Sequence, residues 1–229
     1  MASRDAFLNH IAQRLGRTRG SKVPQPKWLR QPWDHLHQEL DQEGLVQQFK
    51  NQLLALKGEV IRVTSEEHLP EVLLNWLSSS EGKKIVAWNH PSPLGQMVLQ
   101  SLEQLDSSCD VTIWSEKGDS DSLILAAEQA DIGIAIAEEG ISETGSVVLY
   151  NRGNQGRLVS LLPPVFVCIL PAQAIVPRIT QVLQQLKQKS NDYSCINLIT
   201  GPSRSADIEM DLSIGVHGPG RIIVFLVES

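Results

Sequence analysis

The sequence predicts an α/β protein: a doubly wound, mostly parallel sheet with helices on both faces, preceded by a short N-terminal helical extension. From residue 59 onward, apolar strand-like runs alternate with amphipathic segments of about ten residues, which is typical of βαβ units. The run at residues 132–137 carries no charge, as expected of a strand that is covered on both faces. We therefore place that strand near the centre of the sheet.

Length, composition and charge limit the classes of function. With 229 residues and 41% hydrophobic content, the chain can form one large α/β domain with a small appendage. The formal net charge of −6 argues against general nucleic-acid or anionic-membrane binding, which requires clustered Lys and Arg. There is no apolar run of about 18 residues and no signal-peptide core at the N-terminus. We expect a cytoplasmic protein.

The N-terminal region, residues 1–33, differs in composition from the domain that we predict over residues 34–229. Residues 3–15 form a predicted amphipathic helix that Ser3 caps. Its apolar face consists of Phe7, Leu8, Ile11 and Leu15. Residues 16–32 are basic and proline-rich, which is typical of an extended linker. The linker is either a solvated spacer or, together with the helix, a handle for a partner protein.

The domain starts with a long predicted helix, whose apolar stripe is weakened at Gly44 and which ends at Gly58. Its strands are predicted from short β-branched and aliphatic runs, and its helices from apolar residues that recur every three or four positions. The predicted strands are 59–63, 84–88, 111–114, 132–137, 147–150, 165–170, 195–199 and 222–227. The predicted helices are 35–56, 66–77, 93–105, 122–129, 157–162 and 175–187. The alternation breaks at residues 138–146, where a Gly-bounded turn joins two strands and favours a hairpin.

Two turns carry most of the chemistry-bearing residues. One follows the central strand and holds Glu143; the other spans residues 200–219 and holds His217. Because ligands of open α/β sheets bind beyond the carboxyl ends of strands, we expect both turns to meet at one such edge. Ser203 there is predicted to cap a short helix, whose N-terminus suits an anion. The candidate binding residues are Thr144, Gly145, Gly201, Pro202, Ser203, Arg204, Asp207, Glu209 and Gly218.

Glu143 and His217 are the candidate catalytic residues of this pocket. Either side chain can act as a general base, and the unperturbed pKa of histidine lies close to neutrality. The ligand would be a small carboxylate or another anion that pairs with Arg204. The alternative is that the two turns only brace the fold or face a partner protein.

Several familiar chemistries are excluded by the sequence. Cys109, Cys168 and Cys195 are scattered without a Cys-x-x-Cys pair, and the histidines show no metal-ligand spacing, so we predict no metal and no cofactor. Residues 140–145 have the glycine spacing of a P-loop, but the phosphate-binding lysine is missing. Neither a Gly-x-Gly-x-x-Gly fingerprint nor a Gly-x-Ser-x-Gly elbow is present.

The same two turns resemble the signatures of a known family. Thr-Gly-Pro-Ser-Arg-Ser-Ala-Asp-Ile-Glu at residues 200–209, with Gly-Val-His-Gly-Pro at 215–219, is similar to the C-terminal motif of the LUD-domain family. Gly-Ile-Ser-Glu-Thr-Gly-Ser at residues 140–146 is similar to that family's Glu-Thr-Gly turn. The resemblance covers residues 45–227 and implies the fold shared by sugar-phosphate isomerases and coenzyme A transferases.

The resemblance also implies a function. It points to a component of an L-lactate utilisation system that oxidises L-lactate to pyruvate, in which this chain is the soluble subunit without iron–sulfur clusters. Its partners would be the iron–sulfur subunits of that complex, and the chain itself would be an accessory and not a catalyst. Two alternatives remain open: a free-standing transferase or ligase that acts on a small carboxylate or phosphate, with Glu143 as nucleophile, and a pure interaction module.

Overall fold

The computed structural model describes residues 3–22, 40–186, 193–206 and 212–228. The chain divides into two units, Met1–Glu39 and Leu40–Ser229, which are described separately. In the first unit, helix α1 spans Arg4–Arg14, and the Ser3 hydroxyl accepts a hydrogen bond from the Ala6 amide at 3.2 Å, as predicted. Three of its predicted apolar-face residues are well exposed: Phe7, Ile11 and Leu15. Residues 23–39, which include most of the predicted linker, lie outside the described residues.

The second unit contains five α-helices and twelve strands within its described residues. The helices are α2 (Gln42–Ala55), α3 (Leu69–Ser79), α4 (Pro93–Leu102), α5 (Ser120–Gln129) and α6 (Ile179–Leu186). The strands are β1 (Glu59–Val63), β2 (Lys84–Trp88), β3 (Asp110–Trp114), β4 (Ile132–Ile136), β5 (Glu139–Ile141), β6 (Ser146–Asn151), β7 (Val165–Pro171), β8 (Ile175–Val176), β9 (Cys195–Ile199), β10 (Arg204–Ala206), β11 (Leu212–Ile214) and β12 (Arg221–Val227). No helix in these ranges is long and apolar enough to cross a membrane.

The main sheet has six parallel strands in the order β1-β12-β7-β4-β2-β3. Each residue of β4 is buried, which confirms the central position predicted from its lack of charge. Helices α3 and α4 cover one face of the sheet, where Leu73 and Val98 pack on Phe225 and its neighbours. Helices α2 and α5 cover the other face, where Phe49 and Ala127 pack on residues such as Phe166. The predicted doubly wound α/β class is confirmed.

A second sheet, in the order β8-β5-β6-β9, packs on the same face as α2. The predicted hairpin is its β5–β6 pair, which is antiparallel, with Gly140 opposite Val147. Strand β9 is formed as predicted, but it pairs antiparallel with β6 and does not join the main sheet. Helix α6 covers the outer face, where Val182 packs beside Tyr150. The prediction that residues 195–199 end at an edge of the main sheet is therefore wrong.

Two predicted helix boundaries are also wrong. Helix α2 begins at Gln42 because Asp41 caps it, accepting the Gly44 amide at 2.9 Å, so Gly44 lies in the first turn and not in the middle. The stretch predicted as one helix from Ile175 begins with strand β8, and α6 starts only at Ile179. Pro177 accounts for this, because the residue before a proline is driven into extended conformations.

Candidate functional site

The Glu143 turn lies at the tip of the β5–β6 hairpin, on the surface. The Glu143 side chain is exposed, and its Oε1 lies 3.3 Å from Nη2 of Arg178. The Glu143 amide donates to the Pro177 carbonyl at 3.1 Å. The turn is thereby fixed to the segment that leads into α6, and the carboxylate is held by a surface ion pair.

A chain of three hydroxyl groups joins the two turns. Thr144 Oγ1 lies 2.7 Å from Ser146 Oγ, which lies 2.7 Å from Thr200 Oγ1. The prediction that the two motifs meet is supported at this point, since Thr200 ends the extended run of β9 and Ser146 begins β6, the two strands being paired. The hydroxyl chain is a candidate for positioning a polar ligand at the surface beside Glu143.

Two predicted glycines bring these turns against helix α2. Gly145 has φ +62°, and a Cβ built there would lie 2.5 Å from the Leu53 amide nitrogen. Gly201 has φ +77°, and its Cβ would lie 2.9 Å from Cβ of Leu56. Arg204 donates a hydrogen bond from Nη2 to the Leu56 carbonyl. These contacts go to Leu53 in the last turns of α2 and to Leu56, which caps its C-terminus. The glycines and Arg204 therefore hold the two turns against the C-terminal end of α2.

The predicted helix after Ser203 is wrong, because residues 204–206 form strand β10, antiparallel to β11. The Ser203 amide donates to the Pro219 carbonyl at 2.8 Å, and its carbonyl accepts the Gly215 amide at 2.9 Å. The backbone at Ser203 is therefore used in pairing, and a helix N-terminus for an anion is not formed there. Pro202 is buried beside it, and the predicted Asp207 and Glu209 lie outside the described residues.

His217 is exposed and lines a separate cavity of about 480 Å³. The lining comprises Leu161, Leu162, Pro164, Gly215, Val216, His217, Gly218 and Gly220. Because Pro164 precedes β7 and Gly220 precedes β12, this cavity lies at the amino ends of the parallel strands. The expectation of a carboxyl-edge position is thus wrong for His217, and its cavity does not include Glu143.

A second region, which the sequence reasoning missed, lies at the topological switch point of the main sheet. After β2 the chain continues to β3 on one side, whereas after β4 it continues toward β7 on the other. Loops leaving the carboxyl ends of such strands diverge and open a crevice between them, where α/β proteins commonly bind ligands. Beside this point, between the residues that follow β2, β3 and β6, lies a cavity of about 530 Å³, which we call the switch-point cavity. It is lined by Asn89, Pro91, Gln96, Glu116, Arg152, Gly153, Asn154 and Gln155.

One wall of the switch-point cavity is fixed by hydrogen bonds to neighbouring strands. The Asn89 amide donates to the Asn154 carbonyl at 3.3 Å, and the Glu116 amide donates to Asn154 Oδ1 at 2.8 Å. Trp88 Nε1 donates to the Gly156 carbonyl at 2.8 Å. The loop after β6 is thereby fastened to the residues that follow β2 and β3, so the cavity is preformed.

Arg152 supplies the positive charge of the cavity. Its Nη2 lies 2.5 Å from Glu138 Oε1, and its Nε donates to Gln155 Oε1 at 3.0 Å. The guanidinium is held in one orientation, and its charge is balanced by the Glu138 carboxylate. Glu116, by contrast, is an exposed carboxylate on the opposite loop.

His90, between two lining residues, is 6% exposed. Its Nδ1 accepts the Ser92 amide at 3.3 Å and lies 2.8 Å from the Ser92 hydroxyl, so the neutral ring carries its proton on Nε2. Nε2 is buried without a hydrogen-bond partner. Burial, followed by the positive charge of Arg152, lowers the pKa of His90 to about 4.

A signal for this region existed in the sequence. Asn89-His90-Pro91 directly follows a strand, and residues 152–156 follow another, which is the pattern of ligand-binding loops. Within the described ranges, no group of three or more His, Cys, Asp or Glu side chains is arranged to hold a metal ion.

Comparison with known proteins identifies a family whose sequence model matches most of this chain. Residues 46–227 match the sequence model of the family described as "LUD domain". A protein of Halalkalibacterium halodurans named "Lactate utilization protein C" is 36% identical over 230 residues, covering 98% of this chain and 97% of its own. A protein of the same name from Bacillus velezensis is 39% identical over 232 residues, covering 98% of this chain and 95% of its own.

A solved structure gives the same fold. The crystal structure of a DUF162 family protein from Deinococcus radiodurans matches with a TM-score of 0.58 and 20% sequence identity, covering 82% of this chain and 99% of that one. At this identity the likeness concerns the fold alone.

Proposed function

This chain belongs to the LUD domain family, and from that membership we propose that it is a component of an L-lactate utilisation system. The observation that carries the proposal is similarity over nearly the whole chain, 36–39% identical, to proteins named "Lactate utilization protein C". Coverage of 95–97% of those relatives leaves no large region of theirs unmatched. The residues that resemble the family signatures lie inside the matched range.

We propose further that the chain acts as an accessory subunit beside iron–sulfur proteins that oxidise L-lactate to pyruvate. Its three cysteines support a role without a cluster of its own, because clusters are held by four thiolates in the usual case. Cys168 is fully buried in β7, where burial raises the pKa of its thiol. Cys109 lies in the turn before β3, whereas Cys195 begins β9. The cytoplasmic location is part of the same proposal.

A tagged pull-down from lactate-grown cells tests this role. The full chain is captured at low salt, and the retained material is analysed for iron and for lactate-dependent reduction of a dye. We expect iron-containing partner proteins, with dye reduction by the assembled complex and none by the purified chain. A colourless single chain from the same cells, with the partners present in the flow-through, would contradict the proposal.

The alternative is a free-standing transferase or ligase, and the observation that favours it is the exposed Glu143 carboxylate next to the hydroxyl chain of Thr144, Ser146 and Thr200. In that reading Glu143 acts as nucleophile, and Thr144 orients a small carboxylate or phosphate. Glu143→Gln would then abolish turnover by the purified chain. The accessory role predicts instead that the variant complex keeps its lactate-dependent dye reduction, since the exposed ion pair of Glu143 with Arg178 contributes little to stability.

The control for this comparison is Glu128→Gln, which removes an exposed carboxylate from α5. Rates of dye reduction are measured for both variant complexes at equal iron content. A selective loss with Glu143→Gln, at unchanged complex yield, would favour the enzyme reading over the accessory one.

A further inference from the structure

We propose that the switch-point cavity binds an uncharged polyhydroxylated ligand with a vicinal diol, either a free sugar or the ribose of a nucleoside. Glu116 and the amide side chains around it would hold the hydroxyl groups. The inference goes beyond the role in lactate utilisation and does not depend on it, because it rests on the cavity's own lining.

The charges around the cavity disfavour an anionic ligand. Its only cationic lining residue is Arg152, whose guanidinium is already balanced by Glu138 at 2.5 Å. The eight lining residues include no lysine, and Glu116 adds an exposed carboxylate. A phosphate or a second carboxylate would therefore meet a net negative surface, whereas a neutral ligand would not.

The lining suits hydroxyl groups in particular. A hydroxyl both donates and accepts a hydrogen bond, and the side-chain amides of Asn89, Gln96, Asn154 and Gln155 line the cavity with groups of both kinds. A carboxylate only accepts, and its two oxygens can take two neighbouring hydroxyl donors at once. Glu116 lies at the carboxyl end of a parallel strand, which is the position from which an acidic residue binds ribose hydroxyls in doubly wound folds.

The size of the cavity points to a ligand larger than a three-carbon acid. Its volume of about 530 Å³ lies within the range of about 300–1,000 Å³ that is common for small-molecule sites.

Isothermal titration calorimetry on the full chain tests the inference, with D-ribose, adenosine and ribose 5-phosphate as probes at millimolar concentration. We expect ribose or adenosine to bind, ribose 5-phosphate to bind no more tightly than ribose, and Glu116→Gln to weaken binding about tenfold. Binding of adenosine without ribose would identify a nucleoside as the source of the diol, and equal binding of both would identify the sugar. Glu128→Gln, away from the cavity, should bind as the native chain does.

Glu116→Gln should fold, because the Glu116 backbone amide, and not its side chain, bonds Asn154. A thermal unfolding curve of the variant confirms this before titration. The inference is overturned if neither ribose nor adenosine gives binding heat, if Glu116→Gln binds as tightly as the native chain, or if ribose 5-phosphate binds more tightly than ribose. None of these results bears on the pull-down, so the two proposals fail separately.

Discussion

At the scale of single residues, the buried ring of His90 makes the stability of the fold depend on pH. Its ring is buried beside Arg152 and stays neutral at neutral pH, because protonation would place a second positive charge in the same desolvated place. In the unfolded chain the imidazole returns to its ordinary pKa of 6.5. Folding therefore opposes protonation of this one side chain.

The pH dependence of stability follows from that difference. Above pH 6.5 the ring is neutral in both states, so the full stability is present. As the pH falls toward 4 the unfolded chain takes up a proton that the folded chain excludes, and the free energy of unfolding decreases, by about 3 kcal/mol below pH 4. Urea unfolding of native protein and His90→Asn from pH 7 to pH 4 measures this. We expect a shallower slope for His90→Asn, which retains an acceptor for Ser92.

His68→Gln, at an exposed histidine, is the matched control and should keep the native slope. If native protein and His90→Asn lose stability in parallel, the assignment of this pH dependence to His90 is contradicted.

Individual site residues were only partly predictable from the sequence. The glycines at 145 and 201 and the hydroxyls of Thr144 and Thr200 could be singled out, because turns between strands select such residues. The sequence could not show which of these residues lie close together in space, since that depends on which sheet each strand joins. The extended run before Thr200 joins the second sheet, and Glu143 does not line the cavity that contains His217.

At the scale of elements, the β5–β6 hairpin depends on its close approach to α2. Gly145 permits this close approach for two reasons. Its φ of +62° is unfavourable for other residues, and a Cβ there would collide with the backbone nitrogen of Leu53. The hydroxyl of Ser142, in the same hairpin turn, donates to the Leu45 carbonyl at 2.8 Å. The hairpin and the helix therefore form a single packed unit.

Gly145→Ala should lower the free energy of unfolding by about 2–4 kcal/mol, the sum of left-handed backbone strain and overpacking against α2. The matched control is Gly153→Ala. There φ is +41°, but the new methyl would meet only the end of the Glu116 side chain at 3.0 Å, so we expect about 1–2 kcal/mol. Urea unfolding of both variants measures these losses. Equal losses in the free energy of unfolding would show that the contact with α2 does not add to the cost of Gly145→Ala.

Element types were predicted better than element ends. Strands and helices of the main sheet followed from periodicity because their apolar faces pack on one core. The start of α6 was missed because Ile175 and Val176 continue an apolar stripe that looks helical, although they pair with Gly140 and Ile141 as a strand. Pairing of that kind is a tertiary effect that local pattern does not contain.

At the scale of the whole molecule, we expect the domain core to form without residues 1–33. Within the described residues, every strand of both larger sheets lies between residues 59 and 227, and the buried clusters begin at Leu45. A chain that lacks residues 1–33 should therefore unfold cooperatively, with a midpoint close to that of the full chain. Circular dichroism during thermal unfolding measures this, and a broad, non-cooperative transition would contradict it.

The same truncation tests whether α1 takes part in partner binding. If its exposed face of Phe7, Ile11 and Leu15 contacts the iron–sulfur partners, the truncated chain should fold and yet retain no iron in the pull-down. Full retention of the partners would exclude the N-terminal helix as the docking element. The domain alone would then carry the interaction.

Because of the place of strand β12, completion of the main sheet during synthesis depends on residues 221–227. It pairs with β1 on one side and with β7 on the other, so the last strand along the described chain fills an interior place in the main sheet. A nascent chain that has emerged from the ribosome only as far as residue 220 has β1 separated from its sheet, and the apolar faces of both strands beside the gap are open to other chains. Completion of the sheet therefore waits for translation of residues 221–227, and a protease that removes those few residues from the finished protein opens its interior.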